Sequence, residues 1–134
     1  MTNQSGIARG MYTEADFKSL NDWMIDLLRQ AGVEITATYY CPHHPEAKVC
    51  KYRIDCNCRK PKTGMFEKAM NSFSIDEENS WVIGDKLRDV AICKSTSMRG
   101  ILLYSESEFR DGNIFSICGG LKEASEKIIN GDFR

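Results

Sequence analysis

The sequence predicts an α/β fold with a parallel sheet, because short apolar strands alternate with helical segments along the chain. Strand patterns occur at Trp81–Gly84, Gly100–Tyr104 and Asn113–Cys118, and the last is followed by a helical pattern at Leu121–Ile129. The length of 134 residues fits one modest domain. Ligands bind at the carboxyl ends of parallel strands, so the polar residues that follow these strands are the first functional candidates.

The clearest helix is predicted at residues 13–31. Thr13 is a suitable N-cap, Asp16 completes a capping box, and Gly32 ends the helix. Apolar residues recur at spacings of three and four, so one face is expected to pack in the core. Its members are Phe17, Leu20, Met24, Leu27 and Leu28, and Trp23 is also assigned to the core. The remaining predicted elements are a strand at Thr36–Tyr40, helices at Pro61–Ser72 and Lys86–Thr96, and a polar loop at Ser105–Gly112.

The charge of the chain is balanced, since eighteen basic and nineteen acidic residues give a net charge of −1. This balance argues against nucleic acid or an anionic membrane as a partner. No apolar run reaches the roughly 18 to 20 residues of a membrane span, and the first ten residues contain no apolar signal region. We therefore expect a cytoplasmic protein.

Six cysteines are an unusual number for this length, and four of them lie between residues 41 and 58 together with both histidines. In a cytosolic protein such a cluster indicates metal binding more often than disulfides. The loop offers the pair Cys41 and His43 and, after twelve further residues, the pair Cys56 and Cys58. Two short pairs brought together by a loop predict a closed tetrahedral Cys₃His site for structural zinc.

Two alternatives concern the ligand set of this site. His44 is the other histidine, but the Cys-x-His spacing of His43 mirrors the Cys-x-Cys pair, and Cys50 is a substitute thiolate in the middle of the loop. The two remaining cysteines, Cys93 and Cys118, lie in apolar stretches and are expected to be free and buried.

Three further segments contain residue types that bind phosphate and magnesium. Residues 2–6 (TNQSG) offer a hydroxyl, an amide and backbone N–H groups to phosphate oxygens, and Arg59 and Lys60 would neutralise phosphate charge. Asp85 ends an apolar strand and Asp89 follows four residues later, which suits Mg²⁺. Each segment alone also has an ordinary explanation, namely a turn, a solvated basic pair or helix capping.

Taken together, these segments resemble the haloacid dehalogenase-like phosphatases, in the branch related to histidinol-phosphate phosphatase. The resemblance rests on TNQSGIARG (2–10), YTEADF (12–17), YYCPHHP (39–45), CNCRKP (56–61) and VIGDKLRD (82–89). It implies a Mg²⁺-dependent phosphoric monoester hydrolase that works through an aspartyl-phosphate. It also implies a phosphorylated sugar as the substrate, with the 7-phosphate of a heptose 1,7-bisphosphate as the group removed and histidinol phosphate as the alternative substrate.

The resemblance further implies roles for individual residues. Thr2 and Lys60 correspond to groups that hold the transferred phosphoryl group and stabilise its charge. Asp85 corresponds to the magnesium ligand, and Asp89 is a second candidate. The zinc ligands of the family, which stiffen its substrate-specificity loop, correspond to Cys41, His43, Cys56 and Cys58. The remaining substrate-binding residues correspond to Asn3, Gln4, Ser5, Arg59 and Lys86.

One motif of the family has no counterpart in this sequence. The nucleophile and the general acid/base of the family are two aspartates of a D-x-D motif that precedes the TNQSG segment, whereas here Met1 directly precedes Thr2. We therefore expect residues 1–134 to be a partial phosphatase domain that lacks the first strand and most of the second. Such a chain would be inactive alone and able to self-associate through open strand edges. The alternative is a catalytically dead, zinc-stabilised remnant that binds a phosphosugar or a partner.

Overall fold

The computed structural model describes residues 1–103 and 115–133. The chain divides into two compact units, one formed by residues 1–59 and 63–67 and the other by residues 60–62 and the rest of the chain. Each unit contains a parallel sheet with helices, which confirms the α/β prediction. The predicted loop Ser105–Gly112 lies outside the described residues, as do the predicted strand ends at Tyr104 and Asn113.

The first unit is built on a two-stranded parallel sheet of β1 (Thr2–Asn3) and β2 (Tyr40–Cys41). Thr2 pairs with Tyr40 and Asn3 with Cys41. The strand predicted at Thr36–Tyr40 is therefore shorter than expected and begins later, because a strand is limited by the partner with which it forms hydrogen bonds. The other elements of this unit are α1 (Ser5–Ala8), α2 (Glu14–Gln30) and a 3₁₀ turn (Cys50–Tyr52).

Helix α2 has the predicted ends but not the predicted burial. Thr13 and Asp16 form the capping box, and Gly32, at φ +80°, follows the C-cap. None of the seventeen residues is buried, and Leu20 and Trp23 are 62% and 60% exposed. The prediction that this face packs in the core holds for Phe17, which packs against the core of the first unit, and is wrong for Leu20, Trp23, Met24 and Leu27, which are exposed. Periodicity determines which residues share a face, whereas burial requires a second surface to cover that face.

The second unit contains a three-stranded parallel sheet in the order β3 (Trp81–Gly84), β4 (Arg99–Leu103) and β5 (Phe115–Cys118). Its core holds Ile101, Cys118 and Ala124, the last on α5 (Leu121–Asn130). Cys93 and Cys118 are free and buried, as predicted. Helix α3 (Gly64–Ser72) spans residues of both units and buries Met65, Phe66 and Ala69.

The helix predicted at Lys86–Thr96 is divided into α4 (Leu87–Val90) and a 3₁₀ turn (Ala91–Lys94). The hydroxyls of Ser95 and Thr96 both donate to the carbonyl of Ile92, which competes with continued helical hydrogen bonding. Because α4 begins three residues after β3 ends, Asp89 lies in the first helical turn that follows the strand. None of the helices in the described ranges combines the length and hydropathy that crossing a bilayer requires.

Candidate functional site: a Cys/His metal centre and a lysine–aspartate pair

Four side chains that could hold a metal ion meet in the first unit. The ligand atoms of the cluster lie within 4.8 Å of one another, and its members are Cys41, His43, Cys56 and Cys58. Sγ of Cys56 is 3.5 Å from Sγ of Cys41 and 3.3 Å from Sγ of Cys58. Nδ1 of His43 is 3.4 Å from Sγ of Cys58 and 3.9 Å from Sγ of Cys41. The structure therefore brings together the four residues that the spacing predicts.

These separations fit a tetrahedral zinc site. A Zn–S bond of about 2.3 Å implies neighbouring sulfurs about 3.8 Å apart in a tetrahedron, with slightly shorter nitrogen–sulfur separations. Three thiols and one imidazole are also the donor set of closed structural zinc sites. The cluster therefore fits zinc in both its geometry and its chemistry.

The other candidates in the loop are placed elsewhere. Nδ1 of His44 accepts a hydrogen bond from the Glu46 backbone, and Cys50 is exposed and outside the cluster. The guanidinium of Arg59, expected to bind substrate, donates to the carbonyl oxygen of His43 at 3.3 Å. Arg59 thus contacts the backbone of a candidate metal ligand.

The Cys56–Cys58 turn depends on a glycine in the next helix. The backbone N–H of Gly64 donates to the carbonyl of Asn57, which lies between the two cysteines, at 2.9 Å. A Cβ on Gly64 would lie 2.7 Å from that carbonyl oxygen, so a side chain at this position would displace the turn. The Asn57 side chain also donates to Glu67 of α3.

The three thiols ionise to different degrees. Burial raises the pKa of Cys41 and of Cys58. Burial also opposes ionisation of Cys56, but hydrogen bonds with Cys58 and Cys41, together with the Arg59 backbone, lower its pKa to about 7. A bound cation would supply the positive charge that the remaining thiols need in order to ionise.

Hydrogen bonds of Glu14 connect helix α2 to this loop, and no sequence motif marks this residue. Its carboxylate accepts a hydrogen bond from the Tyr40 hydroxyl at 2.6 Å and one from the Tyr52 hydroxyl at 2.5 Å. Hydrogen bonds from Tyr40 and Tyr52 lower the pKa of Glu14, and the bond to Glu14 raises the pKa of Tyr40 to about 12. No local sequence signal marks this contact, since the partners are 26 and 38 residues from Glu14.

The predicted phosphate-binding segment forms a small hydrogen-bonded unit. The Gln4 amide donates to the Thr2 hydroxyl at 3.0 Å, and the Tyr12 hydroxyl donates to Gln4 at 2.6 Å. The ring of Tyr12 lies where a Cβ on Gly6 would be, so a side chain at position 6 would displace Tyr12 from Gln4. Asn3 pairs with β2, and Ser5 begins α1. The Thr2 hydroxyl is therefore held in place by residues of its own unit.

A nearly buried ion pair lies in the second unit, beyond the end of β3. Nζ of Lys60 is 2.6 Å from Oδ1 of Asp89, and the two side chains are only 10% and 11% exposed. The Lys86 backbone N–H donates to the other carboxylate oxygen at 3.0 Å. Burial opposes ionisation of Asp89, but the hydrogen bond and charge of Lys60 outweigh it, so its pKa is lowered. Gly84 leaves room for this carboxylate, because a Cβ there would lie 2.2 Å from the Asp89 Cβ.

Asp85 differs from Asp89 in its surroundings. Its side chain is 68% exposed, and its carboxylate is 4.0 Å from the exposed ammonium of Lys86. Mg²⁺ commonly binds through one or two carboxylates together with water and phosphate oxygens, so an accessible carboxylate at a strand end fits this metal. Asp89 already accepts from two donors, which makes Asp85 the better candidate ligand.

Comparisons with known proteins show which sequences this chain is similar to. Residues 57–111 match the family model described as HAD-hydrolase-like. The chain is 48% identical over 90 residues to D-glycero-beta-D-manno-heptose-1,7-bisphosphate 7-phosphatase of Yersinia pestis, covering 67% of this chain and 48% of that protein. The protein of the same description from Escherichia coli O6:H1 is 46% identical over 98 residues, or 73% of this chain and 52% of the relative.

The fold has a solved counterpart. The D,D-heptose 1,7-bisphosphate phosphatase of B. bronchiseptica, crystallised with magnesium and phosphate, superposes with a TM-score of 0.81 at 26% identity, covering 96% of this chain and 72% of that one. The chain is therefore similar to haloacid dehalogenase-like proteins in sequence over residues 57–111 and in fold over most of its length, which confirms the resemblance. Within that family, the curated relatives described above are heptose bisphosphate 7-phosphatases, and the chain spans about half of their length.

Proposed function

We propose that this chain carries the phosphate-binding, magnesium-binding and substrate-loop elements of a phosphatase that removes the 7-phosphate of D-glycero-D-manno-heptose 1,7-bisphosphate. It is proposed to be part of a single phosphatase domain with a zinc loop at residues 41–58. The proposal includes a cytoplasmic location, where thiols stay reduced and available to a metal.

The observation that carries this proposal is the Lys60–Asp89 pair beside Asp85, inside the range that the family model matches. A lysine fixed by a nearly buried carboxylate keeps its charge in one place, which suits stabilisation of a transferring phosphoryl group. In this role Lys60 is a catalytic residue, and Asp89 positions it.

The remaining residues have supporting roles in the proposal. The Thr2 hydroxyl, oriented by Gln4, binds phosphate oxygens, with Asn3 and Ser5 beside it in sequence. Arg59 and Lys86 contact the substrate. Asp85 would hold Mg²⁺, which neutralises phosphate charge when bound. A Cys₃His zinc would stiffen the loop without taking part in the reaction, because a closed site has no open coordination position.

The sequence contains no D-x-D motif, so we propose that the chain binds the substrate but does not hydrolyse it alone. Binding is therefore the appropriate test. Calorimetric titration of the chain in Mg²⁺ should detect the heptose bisphosphate with at least about tenfold preference over histidinol phosphate. Such a preference is within the range that differing polar contacts provide.

Two exposed acids allow a matched control. Asp85→Asn should remove the Mg²⁺-dependent part of the binding, whereas Glu78→Gln, which removes an exposed charge in the same unit, should not. Absence of binding to the heptose bisphosphate would contradict the proposal, and tighter binding of histidinol phosphate would favour that substrate instead. A phosphosugar-binding remnant whose Asp85 holds no metal would instead bind equally well with and without Mg²⁺.

A further inference from the structure

We propose that Glu14 is a positioning residue for the zinc loop (residues 41–58). The loop has two arms: the first carries Cys41 and His43, and the second leads to Cys56 and Cys58. The Glu14 carboxylate acts through Tyr40 and Tyr52 and holds these arms together before a metal binds. This inference rests on the proposed zinc site and adds a residue from a different element, since Glu14 is the first residue of α2.

The two carboxylate oxygens of Glu14 serve different arms. Oε2 accepts from the hydroxyl of Tyr40 at 2.6 Å, and Oε1 accepts from the hydroxyl of Tyr52 at 2.5 Å. Both bonds form together only when the two tyrosines approach the same helix end. The carboxylate therefore joins two segments that are separated along the chain by most of the loop.

The first arm carries Cys41 and His43. Tyr40 directly precedes Cys41, and both belong to β2. The ring of Tyr40 packs against Phe17 of α2, with ring centroids 4.6 Å apart. Helix α2 thus fixes Tyr40 by its ring and by its hydroxyl, and the fixed strand determines where Cys41 begins the loop.

The second arm leads to Cys56 and Cys58. Tyr52 is 8% exposed and packs in the core of the first unit with Ile7, Ala8 and Ala47. Its carbonyl oxygen also accepts a hydrogen bond from the backbone N–H of His44, next to the candidate ligand His43, at 3.1 Å. Tyr52 therefore belongs to the second arm and forms a hydrogen bond to the first, and its hydroxyl donates to Glu14.

The contact is strongest with a carboxylate. Each tyrosine donates to its own ionised oxygen, and charge-assisted hydrogen bonds are roughly twice as strong as neutral ones. Glu14→Gln keeps the size of the side chain, but one tyrosine would then have to accept a hydrogen bond from the amide NH₂ group, and both bonds would lose the charge. A loop that is ordered before binding loses less conformational entropy when the metal arrives, so the weaker bonds should weaken metal binding.

Zinc affinity of the full chain, measured by competition with a chromogenic chelator, tests this role. Glu14→Gln should weaken zinc binding about tenfold, the lower end of the effect of residues that support metal ligands. Glu46→Gln, which removes an exposed negative charge from the loop itself, should leave the affinity within about twofold. An affinity within twofold of the unsubstituted chain for Glu14→Gln would overturn the inference.

A double-mutant cycle tests the route through tyrosine. Tyr52→Phe alone should weaken zinc binding several-fold, and the same substitution should add little in the Glu14→Gln background. Fully additive effects would mean that Tyr52 and Glu14 act independently, which also contradicts the inference. Tyr40→Phe provides the same comparison for the first arm.

Amide hydrogen exchange in the metal-free chain separates this inference from the zinc proposal. Glu14→Gln should accelerate exchange at His44, whose N–H bonds to Tyr52, while amides inside α2 such as that of Leu27 should keep their rates. If the unsubstituted chain binds no zinc, the proposed metal site fails, but this exchange pattern still supports a positioning role. Unchanged exchange at His44, or equal acceleration throughout α2, would overturn it.

Discussion

Replacing Asp89 with asparagine removes the negative charge that faces Lys60 while nearly preserving the shape of the side chain. The Lys60 ammonium lies 2.6 Å from Oδ1 of Asp89, and water reaches only about a tenth of either side chain. The substitution therefore takes away the carboxylate partner in a place where solvent compensates poorly.

The size of the effect follows from this burial. Removing one partner of a buried ion pair costs about 3–5 kcal/mol, and the residual exposure places this pair near about 3 kcal/mol. Typical stabilities of about 5–15 kcal/mol make that a large fraction of the total. With a urea m-value of about 2 kcal/mol/M, the unfolding midpoint should fall by about 1.5 M.

Urea titration followed by circular dichroism measures this shift. Asp85→Asn is the matched control, because Asp85 is exposed and only 4.0 Å from an exposed lysine, and its midpoint should move little. The double variant Lys60→Met, Asp89→Asn should be less destabilised than the sum of the two single variants. Equal midpoints for Asp89→Asn and Asp85→Asn would refute the reasoning.

The difference in unfolding free energy between the unsubstituted chain and Asp89→Asn depends on pH in a direction that follows from the pKa of Asp89. The pKa of Asp89 is lower in the folded protein than its ordinary value, so its contribution to stability is present above about pH 4. That contribution is lost as the pH falls through the lower folded value. The stability gap between the unsubstituted chain and Asp89→Asn should therefore be constant near neutrality and should shrink in acid.

Three further outcomes are expected. The double substitution Cys56→Ser, Cys58→Ser should reduce bound zinc from about one ion per chain to none in elemental analysis, because two of the four donors are lost; unchanged metal content would contradict the ligand assignment. Gly64→Ala should weaken zinc binding, because its Cβ would lie 2.7 Å from the Asn57 backbone, whereas Gly119→Ala meets only the end of the Glu123 side chain at 3.2 Å and should be tolerated. The chain alone should release no phosphate from heptose 1,7-bisphosphate with Mg²⁺ in a malachite-green assay, and repeated turnover would show that another group in this sequence is the nucleophile.

Local patterns predicted several elements correctly. The capping box at Thr13 and Asp16, the strand Trp81–Gly84 and the helix that begins at Leu121 all depend on residues within a few positions of one another. The Cys/His loop was predictable for a similar reason, because closely spaced pairs restrict where their side chains can point. The family resemblance required only motifs in order along the chain.

Contacts between distant residues were not predictable in this way. The apolar face of α2 reads as a core face, yet Trp23 is 60% exposed. Nothing near Glu14 in sequence indicates that it meets Tyr40 and Tyr52. Asp89 is a predicted second magnesium ligand, and only the structure shows that its carboxylate also pairs with Lys60 and the Lys86 backbone.

The sequence by itself therefore determined the α/β class, the family resemblance, and the residue types of the candidate metal loop and phosphate-binding segments. Only the tertiary structure decided which partners those residues have: Glu14 with the two tyrosines of the zinc loop, and Asp89 with Lys60. The physical reason is that spacing along the chain constrains hydrogen bonds within a turn or a helix. Burial and long-range ion pairs instead depend on which surfaces the folded backbone brings together.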